Sequence, residues 1–343
     1  MNKNTPAIGV YYEHPEWFRP LFAELERRGT PYVRLDAASH GYDPSAPPGG
    51  FALLLNRMSA SAYLRGHGHA VFYTRYFLES LERAGVRVVN GSASYAVETS
   101  KALQLSLLHG LGLPHPRTRI VNSPEQAVGA ARRLGFPVMV KPNIGGRGAG
   151  VVRYDTPASL ERAASEGAID FGVDHTALVQ EFVPARGGHI TRVETLAGKF
   201  LYAIKVYTTG ESYNLCPAEF CQVEDRAGAA PEPQAEATPV GEMCLTDAPK
   251  AGLRVEAYTP PAEIIEAVER IATAAQLDLG GVEYMTDDRD GSVYFYDINA
   301  LSNFVADAPR VVGFDPHERL VDFLEEEAGR CATATGSRFS AAG

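Results

Sequence analysis

The spacing of apolar residues divides the chain into short extended runs that alternate with amphipathic helices. Residues 7–12 (AIGVYY) read as a strand. Residues 17–28 place Phe18, Leu21, Phe22 and Leu25 at helical intervals, and Gly29 follows as a terminator. Strands are predicted over 31–35 and 51–56, the second (FALLLN) apolar enough to be buried on both faces. A helix over 73–84 and a strand over 86–90 complete a first lobe, and the alternation predicts an open parallel sheet. One long helix is predicted over 94–111, after which Pro114 and Pro116 mark a lobe boundary.

The second lobe reads strand (118–122), helix (123–134), strand (138–140), glycine-rich loop, strand (151–152), helix (159–166) and strand (176–183). Ser123-Pro124 opens its first helix as N-cap and first helical residue. Residues 190–207 form a hairpin about Ala197-Gly198-Lys199, and 261–277 form an amphipathic helix. Strands over 280–286 and 293–299 are joined by a polar turn, and a helix over 317–328 closes the chain. Residues 225–252 lack periodicity and read as a catalytic lid or as a disordered insertion. The predicted class is α/β (α+β), divided as 1–112, 113–185, 186–330 and a flexible tail, 331–343.

Composition narrows the partners. The chain has 343 residues, 45% hydrophobic and 22% charged, with a formal net charge of −10. That charge, without a basic patch, argues against nucleic acid and anionic membranes. No apolar run approaches a membrane span and the first residues lack a signal peptide's apolar core, so a cytoplasmic protein is expected. Cys216, Cys221, Cys244 and Cys331 are too few and too irregularly spaced for a disulfide framework or a zinc site. Nothing in the sequence fixes the oligomeric state, and a homo-oligomer is allowed.

Two stretches carry chemistry. VMVKPNIGGRGAGVV (138–152) delivers Lys141 at a strand end, with Pro142 expected to stop the pairing. Gly145, Gly146, Gly148 and Gly150 then surround Arg147. Glycines let backbone N–H groups approach an anion closely, so this is a polyphosphate grip or else an ordinary glycine-rich turn beside a solvated lysine. It lacks the Gly-Lys-Ser/Thr of a Walker loop and the following helix of a dinucleotide fingerprint. The second stretch is the strand pair 280–286 and 293–299. A six-residue turn sets Glu283 opposite Asp297, while Asp297 and Asn299 share a face. Two carboxylates and an amide oxygen on core strands suit a hard cation such as magnesium; scattered acids on a solvent face are the alternative. Arg57, just past the third strand, is a candidate contact for an anionic substrate group or a solvated loop residue.

Taken together these residues resemble the ATP-grasp superfamily, most closely its RimK-like and glutathione-synthetase-like carboxylate–amine ligases. The carriers are Lys101, VMVKPNIGGRGAGVV, VQEFV (179–183), TRVETLAGKFLYAI, GVEYM and FYDINA, in that order, covering 94–303 and more loosely the N-terminal sheet. The resemblance implies an ATP-grasp fold behind an N-terminal parallel-sheet domain. It implies that Lys101, Lys141 and the loop of Gly145, Gly146, Arg147 and Gly148 hold ATP phosphates. Gln180, Glu181, Phe182 and Val183 would be the adenine hinge. Glu283, Asp297 and Asn299 would bind Mg2+, with Mn2+ as a substitute. Arg192, Lys205 and Asn303 would act on the acyl phosphate and acceptor, and Arg57 and Asn214 would touch substrate. Departures fall on the substrate side: Ile190 stands where the family carries aspartate, Lys205 stands one position from the family's arginine, and Asn299-Ala300-Leu301-Ser302-Asn303 replaces Asn-x-x-Pro-Gly. The implied reaction is ADP-forming ligation of a small carboxylate to an amine through an acyl phosphate. A small-molecule kinase and a non-catalytic ATP-binding module are the alternatives.

Overall fold

A computed structural model describes residues 7–46, 50–146, 148–207, 238–239 and 254–340. Arg147, Asn214, Cys216, Cys221, Cys244 and the segment 225–237 and 240–252 lie outside them, so the expectations attached to those residues carry no structural statement.

The N-terminal lobe is a parallel sheet of β1 (Ile8–Tyr12), β2 (Tyr32–Asp36), β3 (Leu53–Arg57) and β4 (Arg87–Val89), ordered β2-β1-β3-β4. All five residues of β3 are buried, as its unbroken apolar run predicts. Helix α1 (Arg19–Arg28) ends where Gly29 takes φ 70°, a conformation that costs glycine nothing. Helix α2 (Gly68–Arg83) begins five residues earlier than its periodicity suggests. The single helix expected over 94–111 is two, α3 (Ser92–Glu98) and α4 (Lys101–Gly110). Thr99 bonds its hydroxyl back to Tyr95 O, and Ser100 caps the new helix by accepting from Leu103 N. Side-chain competition for backbone partners therefore breaks an apolar pattern that runs through without interruption.

The middle lobe contains β5 (Thr118–Val121), α5 (Pro124–Leu134), β6 (Val138–Pro142), β7 (Val152–Tyr154), α6 (Pro157–Ser165) and β8 (Ala177–Glu181). A two-residue strand β11 (Thr238–Pro239) borders β7. Pro142 does not end β6 on both sides. Pairing with β7 stops at Val140, while pairing with β8 continues to Pro142 opposite Ala177. Proline lacks only the donor, so one edge tolerates it. This lobe has its own core of Val121, Ala127, Val138, Val140, Leu160 and Val179.

The third sheet is antiparallel: β9 (His189–Leu196), β10 (Lys199–Tyr207), β12 (Val255–Tyr258), β13 (Leu279–Thr286) and β14 (Val293–Asn299), ordered β12-β10-β9-β13-β14. Ala197 and Gly198 both take positive φ in the β9–β10 turn, the two-residue geometry that matches strand twist. Helix α7 (Ala262–Ala274) covers one face through Ala267, Val268 and Ile271. The other face packs directly on the N-terminal lobe. Ile8, Leu21, Leu25, Leu53 and Leu55 share one core with Ile190, Ile204, Val206, Leu279 and Phe304. After the short α8 (Ala308–Val312), α9 (Pro316–Ser340) adds Leu320, Val321 and Leu324 to that core. It also continues well past residue 330, so most of the segment expected as a flexible tail is helical.

Arg87 ties three elements together. It meets Asp278 at 2.5 Å and Glu327 at 2.8 Å, linking β4, the start of β13 and α9. Replacing it by methionine leaves two carboxylates facing each other without their shared cation. Arg87→Met is expected to lower unfolding free energy by about 1–3 kcal/mol in urea titration. An unchanged midpoint would contradict that role.

Candidate functional site

The site is built on one face of the antiparallel sheet. Strand register sets Arg192 beside Glu283 and Glu283 beside Asp297, forming a row across β9, β13 and β14. The next row on the same face is Glu194, Gly281 and Asn299. The opposition of Glu283 and Asp297 read from the turn length therefore holds. A bulge at Tyr296 shifts the register beyond it, and the Tyr296 hydroxyl donates to Glu283 Oε2 at 2.8 Å.

Asn299 Nδ2 lies 3.4 Å from Glu283 Oε1 and 3.3 Å from Asp297 Oδ2, so all three side chains converge. Their charge is met by cations. Lys101 Nζ is 2.7 Å from Asp297 Oδ1, and Arg192 Nη1 is 3.0 Å from Glu283 Oε1. Burial raises the Asp297 carboxyl, but Lys101, Lys141 and Arg192 together outweigh that and hold it below the ordinary carboxylate range. Lys141, at the end of β6, is buried within electrostatic reach of the same carboxylate. Three cations far apart in sequence thus bear on Asp297.

Gly281 explains how Arg192 reaches across. A Cβ on Gly281 would lie 2.6 Å from Arg192 Nε and Nη2, so the guanidinium occupies the space a side chain would fill. From there Nε donates to Glu194 Oε1 at 2.5 Å while Nη1 serves Glu283. Gly281→Ala is expected to eject Arg192 and cut ATP-dependent turnover at least tenfold, with the fold retained by circular dichroism. Turnover equal to the parent would refute the packing argument.

The lysine side of the site is assembled by Asn143. Its carbonyl accepts from Lys101 N at 3.3 Å, its Oδ1 from Ala102 N at 2.9 Å, and its amide donates to Asp174 at 2.6 Å. The segment after β6 is thereby docked onto the N-terminus of α4, which brings Lys101 and Lys141 to one place. The glycine loop folds against the N-terminal lobe, where a Cβ on Gly146 would lie 3.0 Å from Ser61 Cβ. Gly145 precedes that contact, and Gly148 sits at φ 70°, open to glycine without strain.

In the segment expected as the adenine hinge, Gln180 and Glu181 end β8, and Phe182 and Val183 follow it. The Glu181 carboxylate faces Arg117, accepting from its N at 2.7 Å and Nε at 2.9 Å. Gln180 Nε2 donates to Thr118, and the Phe182 N–H reaches Pro137 O at 3.2 Å. The side chains of Gln180 and Glu181 hold the strand edge, and the Phe182 N–H, expected in the adenine hinge, is committed to the protein.

Lys205 does not join the site. It pairs with Thr191, whereas Arg192 pairs with Ile204, so period-two alternation sends Lys205 to the opposite face. Its ammonium lies 4.2 Å from the Tyr258 ring centroid. Asn303 does reach the interior, its Oδ1 lying 3.3 Å from Arg57 Nη2. Arg57 also donates to Ser302 O and is buried at the end of β3, so it is not the solvated loop residue that was the alternative to a substrate contact.

Sequence reasoning missed several contributors. Gln104 on α4 bonds both Ile298 N (3.1 Å) and Ile298 O (2.9 Å), fixing the strand that carries Asp297. Glu98 accepts from Ala300 N (2.6 Å) and Leu301 N (3.2 Å), shaping the turn after Asn299. Burial, with the Asp297 charge adding to it, raises the Glu98 carboxyl above its ordinary value. Glu194 was hidden among alternating strand residues; its two-residue spacing from Arg192 was the one available signal.

The donor set fits a hard cation. Among the described residues no group of three or more His, Cys, Asp or Glu side chains suits a metal, so an ion here would rest on two carboxylates and one amide. That is too few for an all-protein cage and right for an ion that shares phosphate oxygens and water. Asn299 points its NH2 at the carboxylates; an amide flip would present oxygen instead.

Residues 100–186 match the family model of the carbamoyl-phosphate synthase L chain, ATP binding domain. The carbamoyl phosphate synthase large chain of Thermus thermophilus is 35% identical over 127 residues, which is 31% of this chain and only 12% of that protein. Across nearly the whole chain the fold is similar to ATP-grasp ligase PsnB in complex with a minimal precursor (TM-score 0.61, 19% identity, 94% of this chain and 100% of that one). It is likewise similar to D-alanine–D-alanine ligase of Bacillus anthracis (TM-score 0.65, 16% identity, 96% and 99%). Among the described residues no helix is long and apolar enough to cross a membrane. The chain has the ATP-grasp fold.

Proposed function

We propose that this protein is an ADP-forming ligase that activates a small carboxylate as its acyl phosphate and joins it to an amine. The observation that carries this reading is the convergence of Glu283, Asp297 and Asn299 on one sheet face, ringed by Lys101, Lys141 and Arg192. Mg2+ held there by Glu283, Asp297 and Asn299, or Mn2+ in its place, would neutralise charge on the phosphates.

The chain's own residues supply the rest. Lys101 and Lys141 grip the phosphate tail, and Gly145, Gly146 and Gly148 let backbone N–H groups close on it. Residues 113–185 act as the lobe that covers ATP, and 180–183 border its adenine. Arg192 is turned toward the metal carboxylates, where it steadies the transferring phosphoryl group and then the acyl phosphate. A substrate carboxylate oxygen attacks the γ-phosphorus and ADP leaves; an amine then attacks the acyl carbon and phosphate leaves. Such chemistry needs alignment and charge rather than a side-chain nucleophile.

The test uses ATP, Mg2+, hydroxylamine and a panel of amino acids and short dicarboxylic acids. At least one acid should give hydroxamate and ADP in equal amounts. ADP with a stable phosphorylated product and no hydroxamate would replace the ligase with a kinase, and ATP binding without ADP release would leave only a binding module.

A further inference from the structure

Asn143 sits two residues beyond Lys141 in the middle lobe, yet it completes a helix that belongs to another part of the chain. The first N–H groups of a helix have no partner within it. In α4, Leu103 N turns to Ser100 Oγ at 3.2 Å, while Lys101 N and Ala102 N turn to Asn143 O at 3.3 Å and Oδ1 at 2.9 Å. The Ser100 hydroxyl gives the same Oδ1 a further bond at 3.2 Å. The two leading amides of the helix that starts at Lys101 are therefore satisfied from across a lobe boundary.

Asp174 decides which way the Asn143 side chain faces. A backbone N–H only donates and an ionised carboxylate only accepts. Asp174 Oδ2 lies 2.6 Å from Asn143 Nδ2, which leaves the amide oxygen for Ala102 and Ser100; a flipped amide would bond neither end. Asp174 is held in turn, since its Oδ1 accepts from Thr176 N at 3.3 Å and Thr176 O accepts from Asn143 N at 2.9 Å. Asn143 is buried, so losing any of these partners leaves a polar group stranded. Swinging the middle lobe away would strip α4 of both acceptors and part Lys141 from Lys101 in one motion.

We infer that Asp174 is a positioning residue: acting through Asn143, it couples docking of the middle lobe on α4 to occupation of the site between Lys101 and Lys141. This rests on the reading of those lysines as the grip on the phosphates of a nucleotide. A ligand that needs both lysines binds the docked arrangement best, and by linkage it tightens the bonds at Asn143 by the same factor.

Two quantities test this in the full chain: hydrogen exchange of peptides spanning 100–104, and the Kd for Mg-ADP by calorimetry. In the parent protein, saturating Mg-ADP should slow exchange of the Lys101 and Ala102 amides at least about tenfold. Asp174→Ala should speed that exchange and raise the Kd about tenfold. Asn143→Asp sets two carboxylates against each other and should do the same. Adding Asp174→Asn to Asn143→Asp exchanges donor and acceptor, so the double variant should regain slow exchange and most of the lost affinity. A contact that only stabilises the fold would speed exchange and leave the Kd unchanged, and that result would overturn the inference. So would a double variant that fails to recover, or exchange in the parent that Mg-ADP does not alter; the last requires no variant to fold. If the parent binds no Mg-ADP, the nucleotide reading falls and takes the coupling with it, whereas binding with unaltered exchange removes the coupling alone.

Discussion

Asp297→Asn should lower magnesium-dependent ADP release about a thousand-fold, a barrier increase of ~4 kcal/mol. The substitution keeps the shape of the side chain and removes its charge. Three cations converge on this carboxylate, so its neutralisation leaves the buried Lys101 ammonium without the opposite charge 2.7 Å away and takes the central negative charge from the proposed metal set. Stranding a buried charge also destabilises the fold, by about 3–5 kcal/mol. Lys101→Met with Asp297→Asn separates the two effects. The double variant should regain much of the lost stability and none of the activity. Recovery of activity in either variant would remove the metal assignment.

Lys141→Met should raise the apparent Kd for Mg-ATP at least about tenfold and cut turnover by a further factor of ten to a hundred or so. Lys141 is buried at the strand end that faces Asp297, and methionine fills the same volume without the ammonium. Fluorescent-nucleotide titration reads the first effect and ADP release the second. Unaltered affinity would mean that the glycine loop alone holds the phosphates.

Much of this was legible in the sequence because it follows from period and register. The uninterrupted apolar run of β3 announced a strand buried on both faces. The polar turn between β13 and β14 fixed the opposition of Glu283 and Asp297, and two-residue spacing put Asn299 on the same face. Lys205 misled for the same reason: one position along a strand reverses a side chain, and only the pairing with Thr191 shows which way it points. The α3–α4 break escaped detection because hydroxyl capping by Ser100 competes locally with a continuous apolar pattern. Arg57 was read as a loop cation with two equal fates, since nothing in the sequence reveals that Ser302 and Asn303 close over it. Contacts of that kind join segments hundreds of residues apart and leave no local trace.

In the proposed reaction the acid is phosphorylated before the amine attacks. Running it with the acid substrate labelled with 18O in its carboxylate, and following released phosphate by 31P NMR, reads that order. Each phosphate should carry one oxygen from the acid, delivered when the acyl C–O bond breaks. Phosphate free of that label, with oxygen drawn from water instead, would contradict it.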